Sequence, residues 1–179
     1  MRRGILILSV AFATIFLSCS NGGVKGDGSE AGIVVPQNDG SYHLSVSKAV
    51  CYSDNDNPSS NTAEWSIRVS EAGRYKVWIA SATLDTLNLK YSNPVKVNLL
   101  DNRLDVNPEC DRVVTNSKEV SLPYYRADSY MGSFYFPESG QYTLQVISEK
   151  IFPAEASNFS IRPSGDTRLL SVILTPVVR

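Results

Sequence analysis

Val69-Ser-Glu71-Ala-Gly73-Arg-Tyr75-Lys-Val77 and Phe136-Pro-Glu138-Ser-Gly140-Gln-Tyr142-Thr-Leu144 are the same motif written twice. Each reads apolar, small or Pro, Glu, small, Gly, polar, Tyr, polar, apolar. Each is flanked by period-two alternation. Trp65, Ile67 and Val69 lead into the first copy, and Tyr75, Val77 and Ile79 lead out of it. Phe134 and Phe136 lead into the second, and Tyr142, Leu144 and Val146 lead out. Alternation interrupted by a short Gly-bearing segment predicts β-hairpins. Gly73 and Gly140 are expected where the chain takes positive φ, which glycine does without steric cost. Two such units predict an antiparallel two-layer sandwich.

The rest of the chain adds strands and no convincing helix. Ser41-Tyr42-His43-Leu44-Ser45-Val46-Ser47 alternates, with Tyr42, Leu44 and Val46 on one face. Val95-Lys-Val97-Asn-Leu99 is a strand with a turn at Asp101-Asn102. Glu119-Val-Ser-Leu122 is expected as a short strand ended by Pro123, and Tyr124 to Met131 as a tyrosine-rich loop. Residues 83–91 have both helical and strand spacings, and their neighbours favour strand. Residues 150–167, with Pro153, Pro163 and Gly165, read as irregular, and Leu169 to Leu174 as a final buried strand stopped by Pro176. Short strands separated by turn signals give an all-β class, an antiparallel β-sandwich or jelly roll.

The N-terminus carries an address. Arg2 and Arg3 precede an apolar run from Ile5 to Leu17, then Ser18-Cys19-Ser20. That is a secretory signal pattern, and the run is too short for a membrane-spanning helix. Phe16-Leu17-Ser18-Cys19 resembles the bacterial lipobox in its Bacteroidetes form. The resemblance implies a signal peptide over 1–18, lipidation of Cys19 and an outer-membrane lipoprotein facing either the periplasm or the cell exterior. Residues 19–32, glycine-rich with no aromatic residue, read as a tether. Residues 33–179 then form one domain large enough for its own core. Loss of 1–18 removes Arg2 and Arg3, leaving a chain of net charge −1 two units more acidic. No Lys/Arg cluster exists to grip a phosphate backbone, which sets nucleic acid aside as a partner.

With Cys19 assigned to the anchor, Cys51 and Cys110 remain. An even pair in an exported chain predicts a disulfide, worth about 4 kcal/mol in the chain-entropy account; two buried free thiols are the alternative. Asp54-Asn-Asp56-Asn57 offers the oxygen ligands calcium prefers, without the closing residues of an EF-hand, so Asp54 and Asp56 are either a structural Ca²⁺ site or a solvated turn. His43 is the single histidine, and no Ser-His-Asp or Cys-His set assembles around it, so the protein is read as not an enzyme. Asp85-Thr86-Leu87 resembles the three-residue O-glycosylation signal of exported Bacteroidetes proteins.

The layout as a whole resembles the galactose-binding-like β-sandwich, in particular the carbohydrate-binding modules of families 6 and 35. The resemblance rests on residues 42–49, Glu64 to Val69, Glu71 to Val77, Val95 to Asn102, Ser139 to Leu144 and Leu169 to Leu174, and spans roughly residues 41–177. Trp65 and Trp78 lie early and in strands where family members carry a late loop tryptophan, and Ser171 stands where the last family strand often has Asp. The resemblance implies glycan recognition through loops, with a structural calcium in many members. Sugar binding needs an aromatic face for the ring and planar polar groups for hydroxyls. The candidates are Tyr52, Tyr91, Tyr124, Tyr125, Tyr130 and Phe159, with Phe152 beside them, and the polar groups Arg126, Asp128, Asn158 and Asn93. The expected partner is a glycan or polysaccharide; the alternative is an envelope protein contacted by a structural or adhesive lipoprotein, with the membrane reached through the lipid alone.

Overall fold

The structure, a computed structural model, describes residues 32–152 and 167–177. The expected signal segment, Cys19 and nearly all of the tether lie outside these, as do Asn158 and Phe159. Among the described residues there are eleven strands: β1 (Ile33–Val34), β2 (Tyr42–Ser45), β3 (Val50–Tyr52), β4 (Thr62–Val69), β5 (Gly73–Thr83), β6 (Val95–Leu99), β7 (Asn102–Val106), β8 (Arg112–Val114), β9 (Tyr125–Phe136), β10 (Gly140–Ile147) and β11 (Thr167–Pro176). They form two sheets packed face to face. One has the order β1-β4-β10-β6-β7, with β3 also on β4; the other has the order β2-β11-β5-β9-β8. All pairs are antiparallel except β1 with β4. The all-β sandwich read from the sequence is the fold observed.

The repeated motif builds something other than hairpins. β4 pairs with β10 and β5 with β9, while β4 and β5 lie in opposite sheets. Each motif is therefore a corner that carries the chain across the sandwich. The two corners sit side by side in reciprocal register, Gly73 opposite Phe136 and Gly140 opposite Val69, a local pseudo-two-fold arrangement. In each, the tyrosine hydroxyl donates back to the glutamate carbonyl, Tyr75 to Glu71 at 3.1 Å and Tyr142 to Glu138 at 2.8 Å. That bond satisfies a carbonyl at the turn while the ring enters the core. Phe136 sits edge-on between the two rings, 5.2 Å from Tyr75 and 5.0 Å from Tyr142. Gly73 has φ +155°, but Gly140 does not take positive φ, so the expectation for the second glycine is corrected.

The core is the inward set of both sheets, including Leu44, Trp65, Ile67, Val77, Ile79, Val97, Leu144 and Val172. The alternation that predicted the strands is the burial pattern observed for β4 and β10. Three sequence expectations change. Residues 84–91 are a loop, because the Asp85 carboxylate accepts from the backbone N–H groups of Leu87 and Asn88. Glu119 to Leu122 is not a strand. The expected loop from Tyr124 is the first half of β9, the longest strand.

Cys51 and Cys110 are free. Cys51 lies in β3, at the edge of the sandwich shared with β1 and β2. Cys110 lies just before β8, at the other lateral edge. A disulfide needs Cα atoms within about 7 Å, which opposite edges do not offer. Asp54 is a turn residue: its Oδ1 accepts from the backbone N–H groups of Asp56 and Asn57, and its Oδ2 from Ser60 Oγ. Its carboxyl sits below the usual range because of those bonds. Among the described residues no group of three or more His, Cys, Asp or Glu side chains could hold a metal, and Asp56 joins no such group with Asp54.

Candidate functional site

The sandwich has two unlike ends. One holds the two corners and the turn at Leu100–Asp101. At the other, β3, β4, β5, β6, β7, β9, β10 and β11 all meet longer connections. Tyr52, Tyr91, Tyr124, Tyr125 and Phe152 all belong to this loop end.

Their environments differ. Tyr91 is committed to structure: its ring packs against the core and its hydroxyl bonds Ser81 Oγ at 2.8 Å. Burial drives its pKa far above the ordinary tyrosine value. Tyr52 and Tyr125 are about half exposed, at the end of β3 and the start of β9. Tyr124 is half-buried, its N–H held by the Ser121 carbonyl at 3.0 Å. Beside it Arg168 projects from β11, with its guanidinium 5.6 Å from the centre of the Phe152 ring. Burial lowers the Arg168 pKa, opposed by the nearby Tyr124; an arginine stays charged under such a shift. Asn93 lies in the loop tied down by Glu149, whose Oε1 accepts from the N–H of Ser92 at 2.7 Å.

Strand register then extends this end onto the outer face of the five-stranded sheet. Arg168, Ala82, Arg126 and Val114 stand in one row, and Ser45, Ser171, Ala80, Asp128 and Arg112 in the next. Below them come His43, Ile173, Trp78 and Tyr130. The central strand contributes only alanines to the upper two rows, and both are buried. That space lets the 115–124 segment lay Glu119 across the sheet. Glu119 Oε1 lies 3.0 Å from His43 Nε2 and accepts from Ser171 Oγ at 3.2 Å, while Oε2 lies 2.6 Å from Arg126 Nη1. Burial alone would raise the Glu119 pKa; the hydrogen bond and charge of His43, the charge of Arg126 and the Ser171 hydroxyl together hold it below its ordinary value.

Asp128 is fully buried beneath this cover. Arg126 Nε donates to its Oδ1 at 2.8 Å, and Arg112 Nη2 to its Oδ2 at 2.6 Å. Arg126 and Asp128, read from the sequence as sugar ligands, are thus mainly a buried ion-pair ladder. Tyr130 stands apart, on the outer face, with its ring 5.1 Å from Trp78 and the Arg112 guanidinium 4.9 Å from the Trp78 ring.

Sequence reading chose residues that lie together at the loop end but did not bring Glu119, His43, Arg112 and Trp78 into one array. Parity was the available signal: Trp78 alternates out of phase with Val77 and Ile79, which marks it as outward. The register that aligns it with Tyr130 and His43 is not a local property.

Among solved structures the chain is similar to part of the α-L-fucosidase from Vibrio sp. strain EJY3, with a TM-score of 0.63 and 17% identity over 80% of this chain. It spans 24% of the fucosidase chain. A further match, to the Podospora anserina GH26-CBM35 β-(1,4)-mannanase, has a TM-score of 0.46 and 12% identity, covering 79% of this chain and 29% of that one. No protein-family model matches, and no curated protein matches in sequence. At 17% identity the fucosidase match establishes the fold alone, a two-sheet β-sandwich.

Proposed function

We propose that this protein is an exported, lipid-anchored, non-catalytic binding domain whose loop end recognises a glycan. The observation that carries the reading is the Arg168 guanidinium held over the Phe152 ring with Tyr124 nearby, at an end where Tyr52 and Tyr125 stay about half exposed. A flat ring beside a planar guanidinium supplies the two surfaces a sugar uses: a C–H face to stack on and donors for its hydroxyls. The ion-pair ladder supports a binding role over a catalytic one. Glycoside hydrolysis needs one carboxyl that can deliver a proton. Glu119 and Asp128 are instead both engaged by guanidinium groups. Lipidation at Cys19 and residence at the outer membrane follow from the lipobox resemblance; Cys19→Ser should move the protein from the membrane to the soluble fraction.

A second reading, contact with an envelope protein, draws on Leu87 and Leu122, which are 97% and 83% exposed at the same end. Titration against a glycan panel separates the two. Sugar binding lost in Tyr124→Ala/Tyr125→Ala supports the first, and a folded protein that binds no glycan moves the case to the second.

A further inference from the structure

A groove on the flank of the other end carries different chemistry. β8 pairs only with residues 126–128 of β9, so the far half of β9 is left without a neighbour on that side. The β6–β7 hairpin passes there instead, with Leu104 of β7 packed over Gly132. Gly132 has φ +125°, and a Cβ at that position would lie 3.0 Å from Leu104 Cδ2. The positive φ and the tight approach of Leu104 both favour glycine here. The resulting groove holds about 500 Å³ and is lined by Arg74, Asn102, Arg103, Ser133, Tyr135 and neighbouring apolar groups. A second hollow of about 520 Å³ lies on the other side of Arg74 and Tyr135, against Ala72, Gly73 and Val177.

Arg74 and Tyr135 face each other across the β5–β9 ladder, and both project from the sheet's outer face. The Tyr135 ring is 55% exposed, a ridge between two hollows. Arg74 is oriented by a 3.0 Å bond from its Nη1 to the neutral Ser133 Oγ and has no ion pair among the described residues. Arg103 is paired with Asp105 at 2.6 Å, but both side chains are about half exposed, and such surface pairs exchange partners at little cost. Among the described residues no carboxylate lines either hollow. On a chain whose net charge is negative, a concavity that presents two guanidiniums and no acid selects for an anion. Trp78 and Tyr130 lie two rows away on the same outer face and pack on each other, so Tyr135 stands as a separate ring.

We infer that the Tyr135 groove is a binding site for an acidic oligosaccharide, one bearing carboxylate or sulfate groups. The sugar ring stacks on Tyr135, and its anionic substituent takes the forks of Arg74 and Arg103. This site is separate from the loop-end site, and its ligand extends the glycan-binding reading to charged sugars.

Calorimetric titration of the purified protein with tetragalacturonate, with a sulfated oligosaccharide of the same length and with neutral cellotetraose tests it. The expected result is binding of at least one acidic probe in preference to cellotetraose, weakened by salt and reduced at least about tenfold by Tyr135→Ala and by Arg74→Ala with unchanged melting temperatures. Carboxylate and sulfate arms identify the anionic group. Acidic binding that survives both variants but disappears in Tyr124→Ala/Tyr125→Ala would overturn this site and leave the loop end in place. Absence of acidic binding would also overturn it, while binding of a neutral glycan would still decide the loop-end reading.

Discussion

The corner end and the loop end of the sandwich solve opposite problems. At the corner end the chain crosses between sheets twice, each time in the same motif, with the same tyrosine-to-carbonyl bond and with Phe136 shared between the two rings. At the loop end no motif recurs. Connections there are tied down by single side chains, Asp54, Asp85 and Glu149, that accept from backbone N–H groups, and large apolar side chains remain in water. The corner motifs spend Tyr75, Phe136 and Tyr142 on the core, with the neighbouring Tyr135 left in water; the loops leave Tyr52 and Tyr125 exposed. Surface that no packing requirement explains is where a binding role belongs.

That contrast can be broken at its strongest point first. Phe136→Ala should destabilise the protein by about 3–5 kcal/mol, the cost of a large cavity between two rings, measured by denaturant unfolding. Arg126→Ala should cost about 3 kcal/mol, because it leaves buried Asp128 with Arg112 alone and Glu119 with only His43 and Ser171. The two glycines sharpen the comparison between corners. Gly73→Ala should cost about 1 kcal/mol, because its φ of +155° disfavours a side chain. Gly140→Ala should cost close to nothing, since an added Cβ meets only the Tyr142 ring at 3.8 Å.

The smallest effect is a pH limb. The Glu119 carboxyl, faced by His43, Arg126 and Ser171, sits below its ordinary value of 4.5. Its contribution is complete above that value and is lost as pH falls through the lower folded-state value. Melting temperatures followed downward from pH 6 should therefore fall less steeply in Glu119→Gln than in the wild type.

How much of this was legible follows the same division. Period-two burial in β4, β5 and β10 was readable because one face meets the core and the other meets water. The hairpin expectation failed because a strand entering a corner alternates just as one entering a hairpin does. The partners that distinguish them, β10 for β4 and β9 for β5, lie far along the chain. The start of β9 was unreadable for another reason. Arg126 and Asp128 face outward into the Glu119 cover, so they are polar yet buried, while the inward Ala127 and Ser129 are small. Alternation of hydrophobicity vanishes there even though alternation of direction persists. Tyr135 escaped notice as a site because nothing local shows that β8 stops short and leaves the far half of β9 to the β6–β7 hairpin.

The most direct test of the account is a glycan-panel titration of the purified protein alongside Tyr124→Ala/Tyr125→Ala. The account predicts that the wild type binds a glycan and that the double variant, with an unchanged melting temperature, does not bind it at the loop end. Wild-type affinity in the double variant toward every glycan bound, or no glycan bound by the folded wild type, would contradict it.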